Sequence, residues 1–324
     1  MTDARTNGPW YRFWAGGQDA TFHVEHAIMG GSDDGAAPPA ASVQTDEVRE
    51  APTHKRYTLG TILAVANQKG GVGKTTTSVS LAAAMAEQGL HVLLVDFDPQ
   101  GNASSGLGLR AAAGEPSIYD VLVEDRDVAE TVVATSQPRM DLIRANIDLA
   151  GAEVELVSAF SREHKLRRAL HGIRDRYDVI VIDCPPSLGL LTVNAMTAAD
   201  GVIVPIQCEY FALEGLGALR RNAELIREQL NPQLEMTGFV LTMLDARTNL
   251  SQQVVEEVRS HFGDRVFESR IPRSVRLAEA PGFGQPITQF DPASRGAMAY
   301  RRLAKEVIAR LDERAARTGQ DAVA

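Results

Sequence analysis

The chain has 324 residues, two cysteines and a formal net charge of -9 at neutral pH. That length buries enough surface for one large domain or two modest ones without disulfide support, and the cysteines, with no CxxC spacing, fit reduced thiols in a cytoplasmic protein rather than a disulfide scaffold. An acidic total argues against general attraction to nucleic acid, yet nine arginines face seven acidic residues between Asp245 and Arg302, which leaves room for a local basic face.

Residues 1–57 carry mixed Gly, Ala, Pro and polar composition with no sustained period and are expected to be a disordered tail. Within it PWYRFW (Pro9 to Trp14) sets four aromatics in five residues, readable as a chance cluster or as a short docking segment. No apolar run approaches the roughly 20 residues of a membrane span, and the N-terminus lacks the order of a signal peptide. From Thr61 the pattern changes. The runs TILAVAN (Thr61 to Asn67), HVLLVDFD (His91 to Asp98), YDVIVIDCP (Tyr177 to Pro185), GVIVPIQ (Gly201 to Gln207) and MTGFVLTML (Met236 to Leu244) suit strands buried on both faces. Helical spacing fills Thr75 to Gln88, Leu188 to Ala199, Leu213 to Leu230 and Ser251 to Phe262, with Gly89, Asn231-Pro232 and Gly263 as stops. The alternation predicts an α/β fold: a mainly parallel, twisted sheet with helices on both faces, in one domain over 58–315, followed by a flexible end at 316–324.

The stretch NQKGGVGKTTTS (Asn67 to Ser78) sits between the first strand and the first helix, the context a phosphate-binding loop requires. Gly70, Gly71 and Gly73 let successive backbone N–H groups, with those of Val72 and Thr76, converge on phosphate oxygens at a helix N-terminus. Lys74 supplies charge to the outer phosphates and the Thr75 hydroxyl is placed for Mg²⁺. Lys69 is not explained by turn geometry. VDFDPQGN (Val95 to Asn102) sets two carboxylates, Asp96 and Asp98, with one residue between them at a strand end, and the two are expected to do different work. In VIVIDCPPS (Val179 to Ser187) an apolar strand ends in Asp183, a candidate for the Mg²⁺ shell.

KGGVGKTT resembles the deviant phosphate loop of the ParA/MinD superfamily of P-loop ATPases. The strings DPQGNASSGLG, DCPPSLGLLTVNA, VPIQCEYFALEGL, LTMLDARTNLS, IPRSVRLAEAPGFGQPI and DPASRGAMAY resemble chromosome-partitioning ATPases of the ParA/Soj type over roughly Thr61 to Arg310. That resemblance implies a homodimer formed on ATP binding, in which Lys69 reaches the phosphates held by the other subunit. It implies Lys69, Lys74 and Asp98 as the catalytic set, Asp98 orienting the attacking water and joining Thr75 and Asp183 around the metal, and Asp96 as support for the loop and metal shell. It implies ATP and Mg²⁺ as cofactors. Met243 and Pro272, apolar residues at strand ends, read as flanking the adenine or as core packing. Arg247 and Arg276 map onto arginines that hold double-stranded DNA without sequence preference. The expected partner is a ParB-type centromere-binding protein with a basic stimulating segment, and the expected location is the nucleoid. The long N-terminal tail departs from the short chromosomal members.

Two neighbouring branches are alternatives. A MinD-like ATPase attached to membrane wants a basic amphipathic C-terminal helix. Here Tyr300, Leu303, Val307, Ile308 and Leu311 form a narrower stripe running into DERAARTGQDAVA, expected to pack on the sheet. A nitrogenase-reductase-like protein would need Cys184 or Cys208 for an iron–sulfur cluster shared between subunits.

Overall fold

In the computed structural model, which describes residues 60–319 apart from 113, 210–215 and 246, the apolar runs form the centre of an eight-stranded sheet in the order β3-β4-β2-β5-β1-β6-β7-β8. The strands are β1 (Thr61–Val65), β2 (Val92–Asp96), β3 (Val132–Ala134), β4 (Met140–Ile143), β5 (Val179–Asp183), β6 (Gly201–Gln207), β7 (Glu235–Leu244) and β8 (Val266–Pro272). Every pair is parallel except β3 with β4. The helices are α1 (Lys74–Glu87), α2 (Asn102–Gly106), α3 (Ile118–Val123), α4 (Leu149–Glu155), α5 (Lys165–His171), α6 (Leu190–Ala198), α7 (Leu216–Gln229), α8 (Asn249–Phe262), α9 (Val275–Glu279), α10 (Ile287–Phe290) and α11 (Arg295–Thr318). The expected tail and its PWYRFW cluster, and the first residues of the helix expected from Leu213, lie outside the described residues.

β1, β2 and β5 are buried at every position because helices cover both faces. Strand alternation separates two cores. Ile62, Ala64, Leu93, Val95, Ile180 and Ile182 pack with Leu170 of α5, Met196 of α6, Ile226 of α7 and Val258 of α8. Leu63, Val65, Leu94, Val181 and Val240 face the other way, onto Leu81 and Met85 of α1 and the stripe Tyr300, Leu303, Val307, Ile308 and Leu311 of α11. Burying each such side chain contributes about 1.5–3 kcal/mol before conformational entropy is set against it. The α11 stripe is thus inside the molecule, as its narrow width predicted, and no described helix is long and apolar enough to cross a membrane.

Three strands were not foreseen. β3 and β4 are three and four residues long, too short to show a period. β8 alternates outward Glu268 with inward Phe267 and Ser269 because it is the sheet's edge. Its backbone is sealed by α11: the Glu306 carboxylate accepts from the N–H groups of Glu268 at 2.7 Å and Ser269 at 2.8 Å.

Candidate nucleotide-binding site

β1, β2 and β5 are hydrogen-bonded neighbours in register, Val65 beside Asp183 and Asp183 beside Asp96, so everything that follows these strands gathers at one edge of the sheet. After β1 the chain turns through Gly71 at φ 73° and Gly73 at φ 87°, left-handed values that a side chain resists. A Cβ on Gly70 or Gly71 would meet nothing within 4 Å, so the loop leaves open space in front of its backbone. Two distant groups hold its shape. Asn67 Nδ2 donates to the Pro205 carbonyl of β6 at 2.7 Å while its Oδ1 accepts from Lys69 N at 3.0 Å. Thr242 Oγ1 of β7 donates to the Val72 carbonyl at 2.8 Å. α1 therefore begins with its free N–H groups at the loop, a positive terminus suited to phosphate.

Lys74, the first residue of α1, is buried, and its ammonium donates to the Lys69 carbonyl at 3.2 Å. Burial lowers its pKa, while the charges of Asp183 and Asp98 pull it back up. Asp183 is fully buried. One of its oxygens accepts from Ser78 Oγ at 2.8 Å, and the other is buried with no hydrogen-bond partner among the described residues. Desolvation, followed by the Asp96 charge, pushes its carboxyl up to about 7, with the Thr75 and Ser78 hydroxyls opposing. Such a group wants a cation. Among the described residues no three His, Cys, Asp or Glu side chains converge into a cage. A metal here must complete its shell with phosphate oxygens and water, which is the habit of Mg²⁺. The residues fit that ion: Thr75 and Asp183 on one side, phosphate on the other.

The two carboxylates of VDFD are divided by the end of the strand. β2 ends at Asp96, and Asp98 lies beyond it in a turn closed by Gly101 N on the Asp98 carbonyl at 2.9 Å. Asp96 is a support. Its Oδ2 accepts from Ser104 N and Ser104 Oγ, both at 2.7 Å, tying α2 to the strand, and desolvation pushes it up to about 6 against those bonds. Asp98 accepts from Gln100 N at 3.0 Å. Its charge is one of those acting on Lys74.

Because Asp96 and Asp183 hold protons in the folded chain that the unfolded chain has released, stability falls as pH rises from about 4 to about 7, and the penalty is fully present above that window. A bound cation offsets it. The melting temperature of nucleotide-free protein is expected to be lower at about pH 7.5 than at about pH 5.5, Mg²⁺ with nucleotide to recover more of it at the higher pH, and Asp183→Asn to flatten the fall. Melting curves with a pH-independent difference between wild type and variant would contradict this.

Lys69 stands apart from this cluster. It is half-buried, and among the described residues its ammonium has no hydrogen-bond or ion-pair partner. Thr76 is half-buried on the first turn of α1. Met243 lies at the end of β7 at φ 52°, an unusual value for a residue with a side chain, costing about 1–2 kcal/mol. Its Cε would sit 3.9 Å from a Cβ on Gly73, so it borders the loop, and Pro272 pairs with Leu244 at the end of the next strand. Both expected adenine neighbours are therefore at the same sheet edge.

Arg247 and Arg276 are on loops and a short helix beyond β7 and β8, outside the phosphate cluster. Arg247 is 89% exposed and forms a two-pronged pair with Asp245 at 2.9 and 2.8 Å. Arg276 meets Glu279 at 3.1 Å and Asp291 at 3.3 Å, and stacks over Phe290. Each candidate DNA contact thus already holds a carboxylate. Cys184 and Cys208 are both buried, and burial raises both thiol pKa values, Cys208 to about 12. An iron–sulfur cluster between subunits needs thiolates at a surface.

Sequence reasoning missed the residues that hold the site in shape. Ser78 could have been found, since it lies one helical turn after Lys74. Ser104 and Thr242 had no local signal; Thr242 is 170 residues from the Val72 carbonyl it binds.

Comparison with known proteins agrees with this geometry. Residues 60–236 match the family model of the AAA domain. The sporulation initiation inhibitor protein Soj of Bacillus subtilis is 57% identical over 251 residues, 78% of this chain and 99% of that one. The chromosome partitioning protein ParA of Caulobacter vibrioides is 52% identical over 258 residues, 79% and 97% of the two chains. Among solved structures, a cobyrinic acid a,c-diamide synthase from Mycobacterium smegmatis with bound ADP and magnesium superposes with a TM-score of 0.70 at 41% identity, covering 78% of this chain and 96% of that one.

Proposed function

Because the chain belongs to the ParA/Soj family of partitioning ATPases, we propose that it is a DNA-partitioning protein operated by ATP. ATP with Mg²⁺ joins two copies face to face, the dimer holds double-stranded DNA without sequence preference, and hydrolysis stimulated by a ParB-type centromere-binding protein releases it. Repetition of this cycle over the nucleoid segregates a chromosome or plasmid. The observation that carries the reading is the contrast between two neighbouring lysines: Lys74 buried against Asp183 and Asp98, and Lys69, whose ammonium has no partner among the described residues.

Lys74 and the loop N–H groups bind the triphosphate. When bound, Mg²⁺ would neutralise charge on the phosphate oxygens, with Thr75 and Asp183 on its protein side. Asp98 orients the water that attacks the terminal phosphate, and Asp96 keeps the turn that carries Asp98 in place. Lys69, whose ammonium has no partner among the described residues, meets a triphosphate presented by the other subunit. Met243 and Pro272 flank the base. The domain proper runs over 58–315. Hydrolysis by an isolated subunit is slow because its charge set is incomplete.

Sedimentation with a non-hydrolysable ATP analogue tests the core of this. The dimer forms with analogue and Mg²⁺ and is absent with ADP; a chain that stays monomeric at saturating analogue refutes the reading.

DNA contact through Arg247 and Arg276 requires phosphate to displace Asp245, Glu279 and Asp291. Exposed pairs are weak, each about 0–1 kcal/mol, so a polyanion competes successfully when two subunits add their contacts. Arg247→Ala or Arg276→Ala is expected to weaken binding of all duplex sequences alike and to reduce the salt slope by about 1. Asp245→Asn removes an internal counterion and is expected to tighten binding. Anisotropy of labelled duplex across a salt series checks all three. Unchanged slopes would remove these arginines from the interface.

A further inference from the structure

β1 parts from β6 at a proline. The two strands are in register up to Val65 with Ile203, and the last backbone bond between them runs from Ala66 N to the Ile203 carbonyl at 3.1 Å. β6 itself continues to Gln207. The next step of a parallel ladder falls two residues on, at Pro205, which has no N–H to give to β1, so the pairing lapses there. Its carbonyl still faces β1. Asn67 Nδ2 donates to it at 2.7 Å, which replaces the bond that the N–H of Gln68 would have made had the ladder gone on.

The same amide turns the chain. Asn67 Oδ1 accepts from Lys69 N at 3.0 Å, a turn in which a side chain bonds the backbone two residues on and so sets the direction of departure from the strand. On the other side of that residue, the Lys69 carbonyl accepts from Lys74 Nζ at 3.2 Å. Both backbone polar groups of Lys69 are thereby engaged, although its ammonium has no partner among the described residues. Asn67 is buried, so water does not readily take over either bond when the side chain is removed. The glycine turn beyond has its own support, since Thr242 holds the Val72 carbonyl.

We infer that Asn67 aims Lys69 at the triphosphate of the second subunit, so that its effect is felt in the other subunit's site more than in its own. The inference rests on the proposed function, in which Lys69 acts across the dimer. A side chain that starts from a fixed backbone has less freedom to lose when it closes on a charge. Asn67 is a positioning residue, since the two ends of its amide are taken by Pro205 and Lys69.

The test mixes full-length variants with ATP and Mg²⁺ and follows phosphate release. N67A alone is expected to self-associate about a hundredfold more weakly on a non-hydrolysable analogue, about tenfold for each of two symmetric contacts, while its affinity for the analogue as a monomer changes much less. D98A is inert in its own site but keeps a correctly aimed Lys69. In equal mixture, D98A lends that lysine to N67A, and turnover rises above that of either variant alone. K69A mixed with D98A behaves the same way and serves as the reference. N67S, whose hydroxyl accepts from Lys69 N more weakly, recovers part of the association and is carried through the same mixtures, which keeps the test standing if N67A folds poorly. Recovery with K69A but none with the folded variant at position 67 overturns the inference, because Asn67 would then serve its own site. So does a loss of analogue affinity as large as the loss of association. Recovery in neither mixture defeats the proposed function, and the inference with it.

Discussion

Asp98→Ala is expected to bind ATP and to dimerise as the wild type does, while turnover falls by about 10²–10⁴-fold, the range for a group that positions or accepts a proton from the attacking nucleophile. The fold tolerates the change because the turn after β2 is closed by its own backbone, Gly101 N on the Asp98 carbonyl, and only the contact from Gln100 N to Oδ1 is lost. One such hydrogen bond is worth about 1 kcal/mol, too little to explain a larger loss of activity through unfolding. The hydrogen bond from Ser78 to Asp183 stays as it is. Rapid-quench measurement of phosphate release, with analogue affinity and melting temperature recorded alongside, separates the outcomes. A variant that hydrolyses normally removes Asp98 from the chemistry. One that cannot bind analogue moves it to the binding set. The stalled protein is also expected to stay on duplex, since release waits for hydrolysis.

Lys69→Ala is expected to retain nucleotide in each subunit and to lose the dimer. The retention follows from Lys74, whose ammonium is already inside the subunit and held by the Lys69 carbonyl, a backbone group the substitution leaves in place. The loss follows from desolvation. A charge pair enclosed at an interface is worth about 2–5 kcal/mol when one partner is removed, and a symmetric dimer contains two of them, so the dissociation constant should rise by at least about a thousandfold. Sedimentation across protein concentration reads this directly. Lys69→Arg keeps the charge with a bulkier head and is expected to recover part of the association. A variant that dimerises like the wild type would mean that the free ammonium belongs to solvent. Lys74→Ala should fail earlier, at nucleotide binding, and the contrast between the two lysines is the sharper measurement.

The central strands were legible because a strand buried on both faces has no room for polar interruption, and Thr61–Val65, Val92–Asp96 and Val179–Asp183 have almost none. β6 could be read to the residue, Gly201–Gln207. Legibility failed where elements were short or one-sided. α3, α4 and α5 span six or seven residues each, fewer than two turns, and a period of 3.6 cannot establish itself over that length. β8 escaped notice because Glu268 and Arg270 break its apolar run. At the site, the loop announced itself through glycine spacing and a helix start. What fixes that loop did not: Asn67 reaches Pro205 and Thr242 reaches Val72, contacts that exist only once the sheet has ordered its strands. The pairing of Arg247 with Asp245 was adjacent in sequence and could have been read from DART itself. The double pairing of Arg276 needed Asp291, brought close by the fold.

Inside the sheet's second core, Thr77 Oγ1 of α1 meets the fully buried Tyr300 hydroxyl of α11 at 3.2 Å, and Arg301 spans to Glu87 at the far end of α1 at 2.7 Å. The helix that starts at the glycine loop is therefore tied near its start and at its far end to the C-terminal helix α11. A molecule braced in this way has little play with which to relay fuel status as a bend or a swing of one part against another. Its clock would be the encounter and parting of whole subunits, so the pace of segregation would track how much protein the cell holds as well as how fast each copy burns its nucleotide.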